Sequence, residues 1–378
     1  MARLVALDLP GGPTFVAVLR RTWDEGDAVL VLDRRTTDEA RAALARQAGA
    51  HVVVGADGTE APGPAPGPSL DDEDRLVVAT SGSTGAPKLV VHTDAGLRAH
   101  AAAVHARLGV APDRDRWLAC LPLDHLGGFG VVARSLLTAT PVDVVDGFDR
   151  RTVAAAPAQL GSTLVSLVPT ALDRLAEDAV ARFRRIVLGG AADPVDRPGN
   201  VVRTYGSTET GGGVVYDGRP LDAVEVAVDG EGRIALRGPS LARGLRGADG
   251  AVAALVDADG WLRTGDLGEL GPDGRLVVHG RADALIITGG ENVWPGPVER
   301  ALATHPAVAE VVVMGEPDPE WGQRVVAVVV PVDPADPPAL EALRAHAADA
   351  GLPPAARPRQ VRVVASIPRS SLGKPRRS

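Results

Sequence analysis

Two lysines stand in Gly- and Pro-bearing loops of a chain that otherwise takes its positive charge from arginine: of 40 Lys and Arg residues, only Lys88 and Lys374 are lysine. The first closes the stretch SGSTGAPK (81–88), where Ser81, Ser83 and Thr84 alternate with Gly82 and Gly85 directly after an apolar run. Such a loop can turn backbone N–H groups and hydroxyls onto phosphate oxygens, with the lysine adding mobile charge. It lacks the order G-x-x-x-x-G-K-[ST], and Pro87 disfavours direct entry into a helix. A second stretch, TYGSTETGGG (204–213), sets an aromatic face (Tyr205), a hydroxyl (Thr208) and a carboxylate (Glu209) among glycines that permit close ligand approach. A single carboxylate suits Mg2+, which keeps its other positions for water and substrate oxygens. Asp266 in WLRTGDLGEL (261–270) can accept hydrogen bonds from a ribose diol, and Arg281, close to Asp283 in HGRADALIITGGEN (279–292), can donate there. Lys374 lies in the terminal RSSLGKPRRS (369–378). Taken singly, each stretch also fits an ordinary turn or a solvated tail.

The elements that must position these residues follow from periodicity. Short Val- and Leu-rich runs at 28–32, 51–54, 75–80, 116–121, 141–145, 162–168 and 184–190 predict buried strands, and 37–49, 94–109 and 127–139 predict helices between them. This alternation implies a layered α/β domain with largely parallel strands. The Pro- and Gly-rich segment 61–74 predicts a linker between a small N-terminal piece and the main body. From residue 221, short alternating strands with turn dipeptides predict an antiparallel, barrel-like part. After Arg281 the order strand, helix, strand, strand, helix, strand predicts a small α+β domain. The division expected is therefore 1–281 and 282–378.

Composition narrows the class. A net charge of -8 with no basic stripe argues against nucleic acid as the main partner. The N-terminus lacks the apolar core of a signal peptide and no apolar run reaches the roughly 18 to 20 residues of a membrane span, so the expected setting is the cytoplasm, with no membrane partner. The lone Cys120 has no disulfide or metal-site companion and is expected in the core. No G-x-S-x-G elbow supports a serine hydrolase.

The four stretches and the terminal SLGKP, in this order, resemble the adenylate-forming superfamily of acyl-CoA synthetases, carrier-protein adenylation domains and luciferases. The resemblance spans nearly the whole chain. It implies a two-step reaction in which a carboxylate attacks the α-phosphate of ATP, giving an acyl-adenylate and pyrophosphate, and a thiol such as that of CoA then displaces AMP. By the same resemblance Ser81, Gly82, Ser83, Thr84, Gly85 and Lys88 would handle the β- and γ-phosphates, and Gly189, Gly190, Ala191 and Gly206 would line the nucleotide site. Tyr205 would stack on adenine, Thr208 would contact the α-phosphate, Glu209 with Thr84 would hold Mg2+, and Asp266 with Arg281 would fix the ribose. Lys374 would bridge the attacking carboxylate and the α-phosphate from a mobile C-terminal domain hinged at Asp283. Gly289 and Gly290 would line the CoA tunnel.

Within the superfamily, the chain's short N-terminal region and the strings SLVPTALDRL (166–175), VLGGAADPV (187–195) and 205–226 look most like the o-succinylbenzoate-CoA ligases of menaquinone biosynthesis. That acid has two carboxylates, and Arg174 would hold the one that does not react. His125 and Ser207 would border the acid. Two positions depart from the family pattern: Leu89 replaces a glycine after the loop lysine, and Ser207 stands where Met or Leu is frequent. Three readings remain open at this point, a ligase for CoA, a carrier-protein-loading enzyme and a nucleotide binder without catalysis. A homodimer is compatible with the sequence.

Overall fold

The computed structural model describes residues 1–80, 87–190 and 197–368. The chain divides into two compact units, residues 1–226 with 235–263, and residues 227–234 with 264–378.

The first unit is built on two large sheets. One has eight strands in the order Val252–Ala254, Gly244–Arg246, Lys88–Thr93, Asp74–Thr80, Ala28–Val31, Leu4–Leu7, Val52–Val54 and Glu60–Pro62. Leu4–Leu7 and Ala28–Val31 are buried along their whole length, which is why they read as unbroken apolar runs rather than alternating ones. The other sheet has seven strands in the order Arg219–Pro220, Gly212–Tyr216, Val201–Ser207, Arg185–Leu188, Leu164–Leu167, Trp117–Ala119 and Val142–Val144. Its last five strands are mutually parallel. Helices Asp38–Ala48 and Asp94–Leu108 begin at Thr37 and Thr93, whose side chains accept from Ala40 N–H and Gly96 N–H, and end at Gly49 and Gly109 in the left-handed region. These are the start and stop signals the sequence carries. Cys120 is buried, as expected.

The structure corrects two expectations. Segment 61–74 does not separate a small N-terminal piece: Ala28–Val31 pairs in parallel with Asp74–Thr80, and Leu70 bridges to Ala2, so both sides of it share one sheet. Two of its glycines serve close packing, since a Cβ on Gly63 would stand 1.8 Å from the Ala50 carbonyl oxygen and one on Gly67 3.1 Å from Gly49 Cα. Secondly, not every strand after residue 221 joins the barrel-like part. Gly244–Arg246 and Val252–Ala254 extend the eight-stranded sheet, while Glu225–Val228, Arg233–Arg237, Leu262–Leu270 and Leu276–Arg281 form a separate four-stranded sheet. Period-2 patterning fixes that a segment is a strand but not which sheet takes it.

In the second unit, strands Glu291–Val293, Ile286–Thr288, Gly322–Pro331 and Val308–Asp318 lie in that order, with Gln360–Val363 parallel to Gly322–Pro331. Helices Pro295–Ala303 and Leu340–Asp349 bury Val298, Leu302 and Leu343 with Val313, Val325 and Val329. Among the described residues, no helix is long and apolar enough to cross a membrane.

Candidate active site

The parallel strands of the seven-stranded sheet end together, and the expected ligand residues follow those ends. Trp117–Ala119 leads to His125, Leu164–Leu167 to Arg174, Arg185–Leu188 to Gly189 and Gly190, and Val201–Ser207 carries Tyr205, Gly206 and Ser207. The carboxyl edge of a parallel sheet is where α/β folds bind ligands, because loops there are free to diverge from the strands. Gly189 lies beside the neighbouring strand, where a Cβ would meet Thr204 Oγ1 at 2.7 Å.

Tyr205 and Glu209 are set by a tight turn. A Cβ on Gly206 would fall 2.0 Å from the Gly212 carbonyl oxygen, so only glycine lets Val201–Ser207 pair with Gly212–Tyr216 there. Between them Thr208–Thr210 makes one 3-10 turn, closed reciprocally by Ser207 and Thr210, and Gly211 ends it with φ 78°. The Ser207 backbone takes part on both sides, its N–H donating to Thr210 Oγ1 at 2.8 Å and its carbonyl accepting from that hydroxyl at 3.0 Å. Glu209 is half-buried, and its carbonyl accepts from Ala242 N–H at 2.8 Å.

Two histidines lie beneath this turn. Burial pushes the His92 pKa down to about 4, opposed by the Thr208 backbone and the Glu209 carboxylate. Burial, with the cation of Arg134, takes His100 down to about 3. Arg134 is itself buried, with its guanidinium 4.9 Å from the Trp117 ring centroid.

Lys88 is exposed and opens the strand Lys88–Thr93, directly opposite Thr80. Leu89 is buried with Leu4, Leu30, Val77 and Val91, so the departure from glycine there anchors the strand that bears the lysine. Ser81, Gly82, Ser83, Thr84, Gly85, Ala191 and Lys374 lie outside the described residues.

His125 caps the helix Leu126–Leu137, whose Gly128 admits the Leu121 and Pro122 carbonyls within 2.4 Å of a would-be Cβ. Its Nε2 is 3.0 Å from Asp124 Oδ2. Arg35 joins the same group, with Nη2 3.1 Å from Asp124 Oδ2 and Nε 2.7 Å from Asp33 Oδ1. Sequence reading missed Arg35, because the loop carrying it is 90 residues from His125 and reads as an ordinary polar turn. Arg174 is exposed just beyond the helical turn Pro169–Leu172.

In the second unit, Asp266 and Arg281 are cross-strand partners, with Nη1 4.0 Å from Oδ1. A Cβ on Gly265 would meet the Arg281 guanidinium at 2.6 Å, so glycine is what lets the arginine lie flat over the strand. Arg281 also pairs with Asp283, Nη2 to Oδ2 at 3.1 Å. Gly289 and Gly290, with φ 59° and 82°, make the two-residue turn between Ile286–Thr288 and Glu291–Val293. Positive φ at both positions is what a tight hairpin of this kind requires.

Residues 26–270 match the family described as AMP-binding enzyme, and residues 297–374 match its C-terminal domain. The chain belongs to the AMP-binding enzyme family. It is 44% identical over 330 residues, 82% of this chain and 84% of the relative, to a Mycobacterium tuberculosis protein named "Probable 2-succinylbenzoate--CoA ligase". It is 34% identical over 292 residues to the 2-succinylbenzoate--CoA ligase of Bacillus cereus, covering 68% of this chain and 60% of that one. Among solved AMP-binding enzymes it resembles o-succinylbenzoate CoA synthetase (MenE) from Bacillus subtilis in complex with the acyl-adenylate intermediate OSB-AMP. That match has a TM-score of 0.84 and 25% identity over 99% of this chain and 87% of that one. Wild-type E. coli MenE with a bound analogue of OSB-AMS gives a TM-score of 0.74 and 27% identity, covering 96% and 84%. The two structural matches show that this chain shares their fold.

Proposed function

We propose that the chain is an ATP-dependent acid-CoA ligase that converts o-succinylbenzoate to o-succinylbenzoyl-CoA through an acyl-adenylate, in the cytoplasm. The observation that carries this reading is the 44% identity across 82% of the chain to a relative bearing that ligase name. The geometry of the Tyr205–Gly213 turn supports it, because one half-buried carboxylate beside a hydroxyl and open glycine backbone is the donor set that Mg2+ with a nucleotide takes.

In this reading Tyr205 stacks on adenine over Gly206, while Gly189, Gly190 and Ala191 line the nucleotide. Thr208 donates to the α-phosphate, and Lys88 with Ser81, Ser83 and Thr84 receives the β- and γ-phosphates. Glu209 and Thr84 hold Mg2+, which when bound offsets the phosphate charge. Asp266 accepts from the ribose hydroxyls and Arg281 holds Asp266 in place. Residues 1–281 bind ATP and acid, and 282–378 turn about Asp283 to exchange Lys374 for the Gly289–Gly290 hairpin, so that one site serves both half-reactions.

The test is pyrophosphate release across a panel of aryl and alkyl acids, with and without CoA. Release that depends on o-succinylbenzoate, followed by CoA-dependent thioester formation, is the expected result. Release independent of any acid refutes the ligase reading, and thioester formed only on a carrier protein replaces CoA as the acceptor.

His125 and Ser207 border the acid, and Arg174 grips its unreacting carboxylate. A charge-assisted hydrogen bond is worth about 1.5 to 3 kcal/mol. Arg174→Ala is therefore expected to raise KM for o-succinylbenzoate about tenfold or more, and KM for a monocarboxylate little. Equal rises for the two acids would remove Arg174 from this role.

A further inference from the structure

The turn that carries Thr208 and Glu209 lies over two buried histidines, His92 and His100, which the reaction as described leaves without a part. His100, on the helix Asp94–Leu108, stands with Nε2 2.9 Å from the Gly213 carbonyl oxygen. A buried neutral imidazole facing a carbonyl must carry its proton on that nitrogen, so His100 donates to Gly213. The ring also fills the space under the preceding glycines, 3.9 Å and 3.3 Å from where side chains on Gly211 and Gly212 would begin. His92 lies at the other end of the turn, beside Thr208 and Glu209, and is 1% exposed. Among the described residues its Nε2 is buried with no hydrogen-bond partner, a placement that calls for a reason. Adjacent backbone bonds lock the same region: Ala242 N–H donates to Glu209 and Arg243 N–H to Val91, each at 2.8 Å. The strand bearing His92 and the turn bearing Glu209 are thus stitched to one short segment.

We propose that His100 is a positioning residue for the nucleotide half of the reaction, fixing the Thr208–Gly213 turn so that the Thr208 hydroxyl and Glu209 carboxylate meet the Mg2+-bound phosphates. The inference rests on the roles of Thr208 and Glu209 given above. An apolar residue of similar size fills the same volume but leaves the Gly213 carbonyl without its donor, and the turn is then free to shift. A shift of about 1 Å in such a group can cost on the order of 10²-fold in rate.

The full-length variants His100→Leu and His100→Asn, the second a polar counterpart, separate this role from general support of the fold. In His100→Leu KM for Mg·ATP is expected to rise, and acid-dependent ATP–pyrophosphate exchange to fall, about tenfold, with KM for the acid within twofold of the unaltered enzyme. His100→Asn is expected to show a rise of about threefold, confined to Mg·ATP. Should His100→Leu fail to fold, His100→Asn alone carries the same comparison. Variants in which KM for ATP and for acid move together, or in which neither moves by more than twofold, overturn the proposal. Calorimetric titration of Mg·ATP into the protein without acid reads the turn by itself. Failure of o-succinylbenzoate as a substrate therefore refutes the ligase assignment without touching this comparison.

Discussion

Lys374→Ala is expected to lower acid-dependent pyrophosphate release by about 10² to 10³, the loss that follows removal of one preorganised transition-state donor. Lys374→Arg, although it keeps the charge, is expected to lie nearer the alanine variant than the unaltered enzyme. The reason is shape. An ammonium on a four-carbon stem is a compact point charge that fits between a carboxylate oxygen and a phosphate oxygen, whereas the planar guanidinium fork is wider and imposes its own paired geometry. Thioester formation from preformed acyl-adenylate is expected to change much less, since the proposed domain movement would withdraw the lysine for that half-reaction. Measuring the two half-reactions separately checks this, and equal losses in both would argue against a role confined to adenylation. The prediction rests on the SLGKP motif and on the match of residues 297–374 to the family's C-terminal domain, which ends at this lysine.

Asp74→Ala is expected to destabilise the first unit by about 3 to 5 kcal/mol, the cost of stripping one partner from a buried ion pair. The Asp74 side chain is fully buried at the head of the strand Asp74–Thr80, and it receives Arg243 Nε and Nη2 at 2.8 Å and 2.6 Å and Asp71 N–H at 3.1 Å. Arg243, three-quarters buried, would keep its ion pair with Asp71, at 2.7 Å. The consequence reaches the active site, because Arg243 and Ala242 are the residues whose N–H groups secure Val91 and Glu209. Chemical denaturation followed by far-UV circular dichroism checks the stability loss, and a weaker Mg·ATP KM in the folded fraction checks its propagation. Asp74→Asn, which keeps shape and some hydrogen bonding, is expected to fall between.

The family was legible before the fold because its motifs are local. A Ser-, Thr- and Gly-rich stretch ending in a lysine, a glycine-rich stretch with one carboxylate and a terminal lysine each lie within about ten consecutive residues. The buried strands were legible for a related reason: a strand covered on both faces must be apolar throughout, as Leu4–Leu7 and Ala28–Val31 are. Segment 61–74 misled because Pro and Gly mark both linkers and tightly packed turns, and only the approach of Gly63 to Ala50 distinguishes the two. Arg35 escaped notice because nothing near it in sequence signals Asp124 or His125.

What the sequence determined by itself is the family and most of the helices and strands, since motifs, periodicity, caps and turn residues act over a few neighbours. Tertiary structure decided the rest. It sent Gly244–Arg246 to the eight-stranded sheet rather than the barrel-like one, brought His92 and His100 under the Glu209 turn, and set Asp74 against Arg243. These are contacts between residues far apart along the chain, and the free energy that selects them, burial of apolar surface and pairing of buried polar groups, exists only once distant segments have met.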